Sequence, residues 1–359
     1  MSKSKKKLFS AQLVLFILTI FLSLLGLFFV FEASIAESYA SFGHPYHFVK
    51  QQSMWFALGL FALTAASLIP MKFWKKTAFV WYLLSLVLLI LVFIPGIGME
   101  LNGAKRWFSF GNLPSIQPIE FVKFSLITFF ASWMSKHQRL EPFLFLTAIP
   151  ALLIILQPDL GSLLVLLCIA FGLYFLAGGR LKILLSVGSA GLVLLALAIL
   201  TSPYRLKRLK TFLNPESDPL GASFHIRQIT LALGSGGLTG QGLGNSRQRF
   251  SYIPEAASDS IFAIIAEEIG FIGCLIIILM FFLYFYLAYK IVAKNSDRFS
   301  KLVGFGIILW ISSQALLNLA AIVALVPLTG LPLPFFSYGG SSLVMVLFAS
   351  GVLLRIAKK

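Results

Sequence analysis

Long apolar runs separated by short polar segments make up most of this chain of 359 residues. A membrane-spanning helix needs roughly 20 consecutive apolar residues, and most of the runs approach that length. The pattern therefore predicts an all-α integral membrane protein, a polytopic bundle of about ten transmembrane helices that forms a single membrane domain over residues 1–359. The predicted helices lie near residues 11–32, 53–70, 77–96, 118–135, 143–157, 160–178, 182–201, 260–290, 302–327 and 336–354.

The composition agrees with a membrane location. Hydrophobic residues make up 58% of the chain, charged residues only 12%, and the mean hydropathy is +0.92. These values lie far outside the average of soluble globular proteins. The basic start MSKSKKK precedes an apolar stretch that is too long for a signal peptide, so we expect an uncleaved first helix. Cys168 and Cys274 fall inside apolar runs, where a thiol behaves as a small hydrophobic group rather than as a disulfide partner.

Lysine and arginine are concentrated on one side of the predicted membrane. With the N-terminus inside, the short inner segments carry 18 of these residues, and the short outer loops carry three, Lys50, Lys105 and Arg106. Short cytoplasmic loops of membrane proteins are rich in lysine and arginine. The sequence therefore predicts a multi-pass membrane protein with both termini in the cytoplasm. The inner segments are residues 1–7, 71–76, 136–142, 179–182, 290–301 and 355–359.

A large extracytoplasmic loop is predicted between helices 7 and 8, over residues 202–258. It carries seven basic residues against Glu216, Asp218 and Glu255. One interpretation is a solvated loop whose charges only keep it out of the lipid. The other is a shaped loop, because residues 219–233 have the pattern of a short amphipathic helix that stops at Gly234, where the glycine-rich string GSGGLTGQGLGNS begins.

Several ligand classes are excluded by their missing motifs. The glycine-rich string has neither phosphate-binding spacing, and no strand precedes it, so a nucleotide site is not expected. The net charge of +16 is explained by the inner basic segments and by contact with anionic lipid, and no nucleic-acid-binding module is present. The four histidines are scattered, which argues against a zinc site or a serine triad.

Three glutamates lie inside predicted spans, where a charge costs about 2.5–3.5 kcal/mol on insertion scales. Glu120 has a candidate partner, because Lys123 follows three residues later on the same helix face. A structural ion pair and a functional site both remain open for these two residues. Glu267 and Glu268 occupy the interior of the eighth helix, and we interpret them as packing or gating polar residues.

Two carboxylates stand where the basic loop meets the outer end of the eighth helix. Asp259 at the start of a helix is typical of an N-cap. The functional alternative is a general base, since a partly desolvated carboxylate that faces a basic loop suits proton abstraction beside a departing anion. Glu255 lies four residues earlier, also at the junction of the basic loop and the eighth helix.

Seven ordered strings, spread over nearly the whole chain, resemble the SEDS family (shape, elongation, division and sporulation) of peptidoglycan glycosyltransferases. The GLGNS string, the YRLKR segment and the closing LLRI resemble its FtsW branch more than its RodA branch. The strings are NGAKRW at 102–107, QPIEFVK at 117–123, QPDLGS at 157–162, SPYRLKR with FLNPESDPLG, GSGGLTGQGLGNS, PEAASDSIFAIIAEE, and TGLPLPFFSYGGSS at 329–342.

The resemblance implies that Asp259 is the catalytic aspartate, because it occupies the aspartate position of the family's PE-x-x-[TS]-D pattern. The implied reaction is polymerisation of lipid II at the outer face of the bacterial cytoplasmic membrane, with inversion at the sugar and undecaprenyl pyrophosphate as the leaving group. Family members often have His, Thr and Phe where this chain has Ala257, Ser258 and Ser260, and Ser where it has Ile119. The missing histidine counts against a mechanism that needs an imidazole beside Asp259.

Further residues are candidates for binding the substrate. Cations that could contact the pyrophosphate each have a competing role as interfacial anchors. The sequence identifies no definite cofactor and leaves open a divalent cation, Mg²⁺ or Mn²⁺, whose ligands are unknown. The candidates for substrate binding are Lys105, Arg106, Arg205, Arg208, Glu255, Gln228 and Ser337.

The resemblance also implies partners, namely a class B penicillin-binding protein and other proteins of the division or elongation complex that control cell shape. Nucleic acid is not expected as a partner. Two alternatives remain, a lipid II flippase and a scaffold that only recruits the transpeptidase. A flippase would place its essential charges near the membrane midplane, whereas a polymerase needs them at the outer surface, where Asp259 is predicted to lie.

Overall fold

The computed structural model describes residues 3–101, 104–108, 115–136, 138–200, 203–214, 223–248 and 253–358. Within these ranges the chain forms a bundle of helices with one small hairpin. The helices are α1 (Lys3–Phe42), α2 (His47–Leu68), α3 (Met71–Leu91), α4 (Pro118–Met134), α5 (Leu140–Leu156), α6 (Leu160–Leu176), α7 (Leu181–Leu200), α8 (Pro203–Leu213), α9 (Phe224–Gly236), α10 (Ile261–Ala293), α11 (Arg298–Ile322) and α12 (Gly340–Ala357), and the strands are β1 (Gly98–Leu101) and β2 (Ala104–Phe108).

Each of the ten predicted apolar runs corresponds to a helix, and the prediction of a helical membrane fold is confirmed. Within the described residues, five helices are long and apolar enough to cross a membrane, and α5 and α6 are shorter apolar helices. The count of ten spans and their orientation stay predictions. The five long segments are Ser10–Phe42, Met71–Leu91, Ile261–Ala293, Arg298–Ile322 and Gly340–Ala357.

The first helix is longer than its apolar run, which was predicted to end near residue 32. The following residues ASIAESYASF are mostly small or polar, but they contain neither glycine nor proline, so helical backbone continues. Gly43 ends the helix in a left-handed conformation (φ 74°), and its N–H donates to the carbonyl of Tyr39 at 3.0 Å. The extension carries Glu37 on the last turns of α1.

The hairpin between α3 and α4 was not predicted. β1 pairs antiparallel with β2, and Lys105 and Arg106 lie on β2. The two strands hold four and five residues, so their alternation is too short to be distinguished from the long apolar runs around them. The all-α prediction therefore holds for the bundle but not for this loop.

The bundle core forms where long helices approach closely. α12 packs along α2, α4 packs on α3, and α10 packs on α1, α9 and α11. A Cβ atom on Gly351 of α12 would lie 2.2 Å from the carbonyl oxygen of Leu63 on α2, so these two helices touch through backbone. Trp310, Tyr82 and Tyr284 are among the largest fully buried side chains.

The eighth predicted helix is not continuous. Within α10, Gly270 has φ 66° and ψ −172°, which no other residue type adopts readily. Segment 237–242 of the glycine-rich string fills the break. The N–H groups of Gln241 and Gly242 donate to the carbonyls of Glu267 (2.9 Å) and Glu268 (3.0 Å). The glycine-rich string is thus a packed part of the fold, and a purely solvated loop is wrong for this segment.

The short helix predicted over residues 219–233 exists, with different ends. Its predicted start lies outside the described residues, and α9 is described from Phe224. Gly234 does not stop it, because a glycine inside a helix costs only about 1 kcal/mol relative to alanine. The helix continues to Gly236 and ends at Gly237, whose φ of 53° is left-handed.

Candidate active site

Asp259 lies in a turn that leads into α10 and is half-buried. The helix begins at Ile261, and Ser260 holds the N-cap position without a capping hydrogen bond from its side chain. The N-cap alternative for Asp259 is therefore wrong. In the same turn Glu255 has a left-handed backbone (φ 52°), and its carboxylate accepts a hydrogen bond from the Ser258 hydroxyl at 2.8 Å.

Backbone contacts from α11 and from the segment 323–339 fix the turn. The side-chain amide of Asn318 donates to the carbonyl of Asp259 at 2.8 Å and to that of Leu331 at 2.7 Å. The N–H of Tyr338 donates to the carbonyl of Ala257 at 2.8 Å. Asn318 is buried, so these bonds are shielded from water and hold Asp259 in one place.

The Asp259 carboxylate faces small and polar groups. Gly330 has φ 69°, and a Cβ atom there would lie 3.8 Å from Oδ2 of Asp259. The Ser260 hydroxyl lies 3.5 Å from Oδ1 of Asp259, and Nε2 of His225 on α9 lies 2.8 Å from that hydroxyl. Sequence reasoning missed His225, Asn318 and Gly330, because each belongs to an element distant in the chain from Asp259.

The proposed anion contacts fall into two groups. Arg106 donates to the carbonyls of Gln157 (3.1 Å) and Pro158 (2.5 Å), so its guanidinium fastens β2 to the end of α5. Lys105 is half-buried on the same strand. Arg205 and Arg208 lie on α8, in the large loop, and their side chains are outside the described part of the structure.

Two other candidates for substrate binding have different surroundings. Ser337 is buried, and its hydroxyl accepts a hydrogen bond from the N–H of Leu333 at 2.7 Å, which stabilises its own loop. Gln228 is half-buried on α9, one helical turn after His225. Tyr338, next to Ser337, donates its hydroxyl hydrogen to Gln51 of α2.

Glu120 and Lys123 form the ion pair that their spacing predicted. Nζ of Lys123 lies 2.7 Å from Oε1 of Glu120 and 2.7 Å from Oε1 of Gln314 on α11. Both charged side chains are at least 98% buried, and Lys123 also lies over the ring of Trp310, 5.0 Å from its centroid. Gln314 donates in turn to the carbonyl of Pro332, in the loop that faces Asp259.

Glu267 holds the glycine-rich string. Its buried carboxylate accepts hydrogen bonds from the Ser246 hydroxyl (2.5 Å) and from the N–H groups of Arg247 (3.2 Å) and Gln248 (3.3 Å). These contacts agree with a packing role rather than with chemistry. Glu268 is buried beside it on α10.

No group of three or more histidine, cysteine or acidic side chains that could hold a metal ion occurs among the described residues. Glu255 in the turn and Glu37 on α1 are close enough to interact electrostatically but belong to no such group.

The fold and the site define a multi-pass helical membrane protein with a fixed carboxylate at one end of a broken helix. Residues 12–359 match the family model for FtsW, RodA and SpoVE, described as cell cycle protein. The chain belongs to this family. The prediction that it is a SEDS protein more similar to FtsW than to RodA is confirmed.

Similar proteins align over almost their whole length. Stage V sporulation protein E of Bacillus subtilis is 38% identical, with 97% of each chain covered. The probable peptidoglycan glycosyltransferase FtsW of Coxiella burnetii is 40% identical, with 95% of this chain and 94% of that protein covered.

Two solved structures share the fold. A chain from a peptidoglycan synthase complex that coordinates polymerization and crosslinking has a TM-score of 0.79 and 28% identity, with 96% of each chain covered. The rod shape determining protein RodA of Thermus thermophilus has a TM-score of 0.70 and 27% identity, with 96% of this chain and 95% of that chain covered.

Proposed function

We propose that this protein is a peptidoglycan glycosyltransferase that polymerises lipid II at the outer face of the cytoplasmic membrane, with Asp259 as the general base. The relatives that are named peptidoglycan glycosyltransferases confirm the predicted class of enzyme. The observation that carries the assignment to Asp259 is its geometry. Its carboxylate does not cap α10, Asn318 fixes its backbone, and Gly330, which has no side chain, lies beside the carboxylate.

The proposed reaction is a single displacement. Asp259 accepts the proton of the acceptor sugar hydroxyl while the hydroxyl oxygen attacks the anomeric carbon of the donor. The bond between that carbon and the pyrophosphate oxygen breaks, so undecaprenyl pyrophosphate leaves with the electron pair and the sugar inverts. The reaction needs no nucleotide, because the donor is already activated.

Charge develops on the departing pyrophosphate, and fixed cations stabilise it. Lys105 on β2 and the two arginines of α8, Arg205 and Arg208, are our candidates for this role. Arg106 is a weaker candidate, because it donates to two backbone carbonyls. A guanidinium has five N–H donors, so Arg106 would need to bind the anion through those that remain.

A flippase is not favoured. A transporter would use charges near the midplane, and the intramembrane carboxylate Glu267 is occupied by the glycine-rich string, while Glu120 is paired with Lys123. Asp259 lies before the first residue of α10, Ile261, and Glu267 lies a further helical rise of about 9 Å into that helix. The proposed partner is a class B penicillin-binding protein, because one structural relative belongs to a complex that both polymerises and crosslinks peptidoglycan.

The decisive experiment replaces Asp259 by asparagine in the purified protein with its partner transpeptidase. Asparagine keeps the shape but cannot accept the proton, so polymerisation of labelled lipid II should fall by about 10²- to 10⁴-fold while lipid II binding persists. Asp297→Asn is the matched control, because Asp297 is the true N-cap of α11 and asparagine caps equally well. Polymerisation that survives Asp259→Asn would remove Asp259 from the mechanism.

A further inference from the structure

Three segments that the charge pattern assigns to the cytoplasm meet around one cavity of about 690 Å³. They are the turn between α2 and α3, the turn between α10 and α11, and the end of α12. This volume lies within the range of about 300–1,000 Å³ that is typical of small-molecule sites. The segments are far apart in the sequence, so the cavity arises only when the bundle folds.

The cavity is strongly basic. Lys72, Lys75, Arg355 and Lys358 line it, against the single carboxylate of Asp297. In the described part of the chain, no carboxylate lies within 4.0 Å of these four cations, since the one ion pair found there joins Glu120 and Lys123. Positive-inside topology explains why each cation is cytoplasmic, but not why four of them line one cavity that contains a single carboxylate.

The one acidic residue is already engaged. Asp297 caps α11, accepting hydrogen bonds from the N–H (2.9 Å) and the hydroxyl (2.6 Å) of Ser300. Burial opposes its ionisation, but the hydrogen bonds from Ser300 and the nearby charge of Lys75 outweigh burial and lower the pKa of Asp297. The carboxylate thus stays charged at neutral pH, and the cavity still has three positive charges in excess.

The walls of the cavity are fixed in place. Asn295 donates to the carbonyl of Ile356 at 2.9 Å and accepts from the N–H of Asp297 at 2.8 Å. Gln12 of α1 donates to the carbonyl of Leu354 at 2.8 Å, which anchors the end of α12 from the other side. Because these bonds hold the backbone, a ligand would not have to order the site.

An apolar surface continues from the cavity along α3. Phe73 follows Lys72 on the first turn of α3, and Phe79, Val80 and Leu83 are exposed further along the same helix. Such side chains suit contact with acyl chains in a helix that is apolar enough to span the membrane. Cations at the end of such a surface lie at the level of the lipid headgroups.

We propose that this cavity binds the phosphate group of an anionic phospholipid of the inner leaflet, with the acyl chains along α3. Lys72, Lys75 and Arg355 contact the phosphate, and Lys358 adds charge at the rim. The site lies at the opposite end of the bundle from Asp259 in the predicted topology. Its existence is therefore independent of the proposed polymerase mechanism.

Lipid binding to the purified full-length protein tests the proposal. Native mass spectrometry would measure the apparent Kd for phosphatidylglycerol, with phosphatidylethanolamine as the neutral comparison and inorganic phosphate as a competitor. The test variant is Lys72→Gln/Lys75→Gln, and both lysines are exposed, so folding should be retained. The matched control is Lys76→Gln/Lys294→Gln. It removes two exposed cations, one on α3 and one just after α10, and neither of them lines the cavity.

We expect the test variant to weaken phosphatidylglycerol binding by about fivefold per charge removed, and the control variant by less than about twofold. Arg355→Gln should weaken it by a similar factor, as an independent check from α12. Equal losses in the test and control variants would mean diffuse surface attraction and overturn the proposal. Equal binding of phosphatidylethanolamine, or displacement of the lipid by an equal concentration of inorganic phosphate, would overturn the assignment to an anionic lipid.

Discussion

The imidazole of His225 lies against the hydroxyl of Ser260, with 2.8 Å between Nε2 and Oγ. The Ser260 hydroxyl in turn lies within 3.5 Å of Oδ1 of Asp259, with the geometry of a donor to the carboxylate. A hydroxyl has one hydrogen, so His225 must donate from Nε2 when Ser260 donates to Asp259. An imidazole therefore does stand near Asp259, although Ala257 replaces the histidine that the family often has in this turn.

This arrangement predicts that His225 orients the Ser260 hydroxyl so that it donates a hydrogen bond to Asp259. His225→Ala and Ser260→Ala should each lower kcat for lipid II polymerisation by about two- to tenfold, the value of one hydrogen bond, with KM little changed. Because the two residues act in series, the double variant should lose no more than either single variant. The measurement is steady-state polymerisation by the purified complex.

Thr230→Ala is the control for that experiment, because Thr230 is exposed on α9 and its hydroxyl bonds only to its own helix, at the carbonyl of Ile226. It should leave kcat unchanged. Additive losses in the His225→Ala/Ser260→Ala variant would contradict a series, and a wild-type kcat in His225→Ala would remove His225 from the site.

The sequence could predict the helices and mark Asp259 as a candidate catalytic residue, but it could not predict the contacts around Asp259. Apolar runs are local patterns, so each of the ten was visible, and the aspartate followed from a short motif. His225 lies 35 residues before Ser260, and Asn318 lies 59 residues after Asp259. These contacts depend on how α9 and α11 pack on α10, and no periodicity within one segment encodes that packing.

The break in α10 was missed for a related reason. A glycine in an apolar run is compatible with an uninterrupted helix, so Gly270 alone gives no signal. The break becomes favourable only because the glycine-rich string supplies N–H and carbonyl groups to the freed backbone of α10. The break in α10 therefore depends on a segment that is distant in the sequence, as do the contacts around Asp259.

The packing of α9 on α10 predicts opposite effects for two neighbouring glycines. A Cβ atom on Gly236 would lie 2.1 Å from the carbonyl oxygen of Ala266, whereas a Cβ atom on Gly234 would meet no atom within 4 Å beyond the backbone of its own helix. Gly236→Ala should destabilise the protein by about 1–3 kcal/mol. Gly234→Ala should stabilise it by about 0.5–1 kcal/mol, because alanine favours helix.

Thermal unfolding of the purified variants measures both changes. A lowered Tm for Gly236→Ala with an equal or raised Tm for Gly234→Ala is the expected pattern. If both variants had the same Tm as the wild type, the close packing of α9 against α10 would be wrong.

The buried ion pair predicts a strong coupling between its members. Lys123→Met leaves the Glu120 carboxylate buried without its counter-charge, which should cost about 3–5 kcal/mol of unfolding free energy. Lys123→Met/Glu120→Gln removes both charges and should recover most of that loss. Lys136→Met, at the exposed end of the same segment, is the control and should change stability by less than about 0.5 kcal/mol. A double variant as unstable as Lys123→Met would show that the pair is not the source of the loss.

The orientation of the chain decides which side of the membrane the proposed catalytic site and the proposed lipid site face. With both termini in the cytoplasm, Thr239 of the glycine-rich string faces outward and Ser296 of the turn between α10 and α11 faces inward. Both residues are exposed, so cysteines there can be labelled. In a background with Cys168 and Cys274 replaced by serine, an impermeant maleimide added to intact cells should label Thr239→Cys, and should label Ser296→Cys only after the cells are opened. The reverse pattern would place Asp259 in the cytoplasm, away from an outer-face reaction, and would put the basic cavity on the outer leaflet.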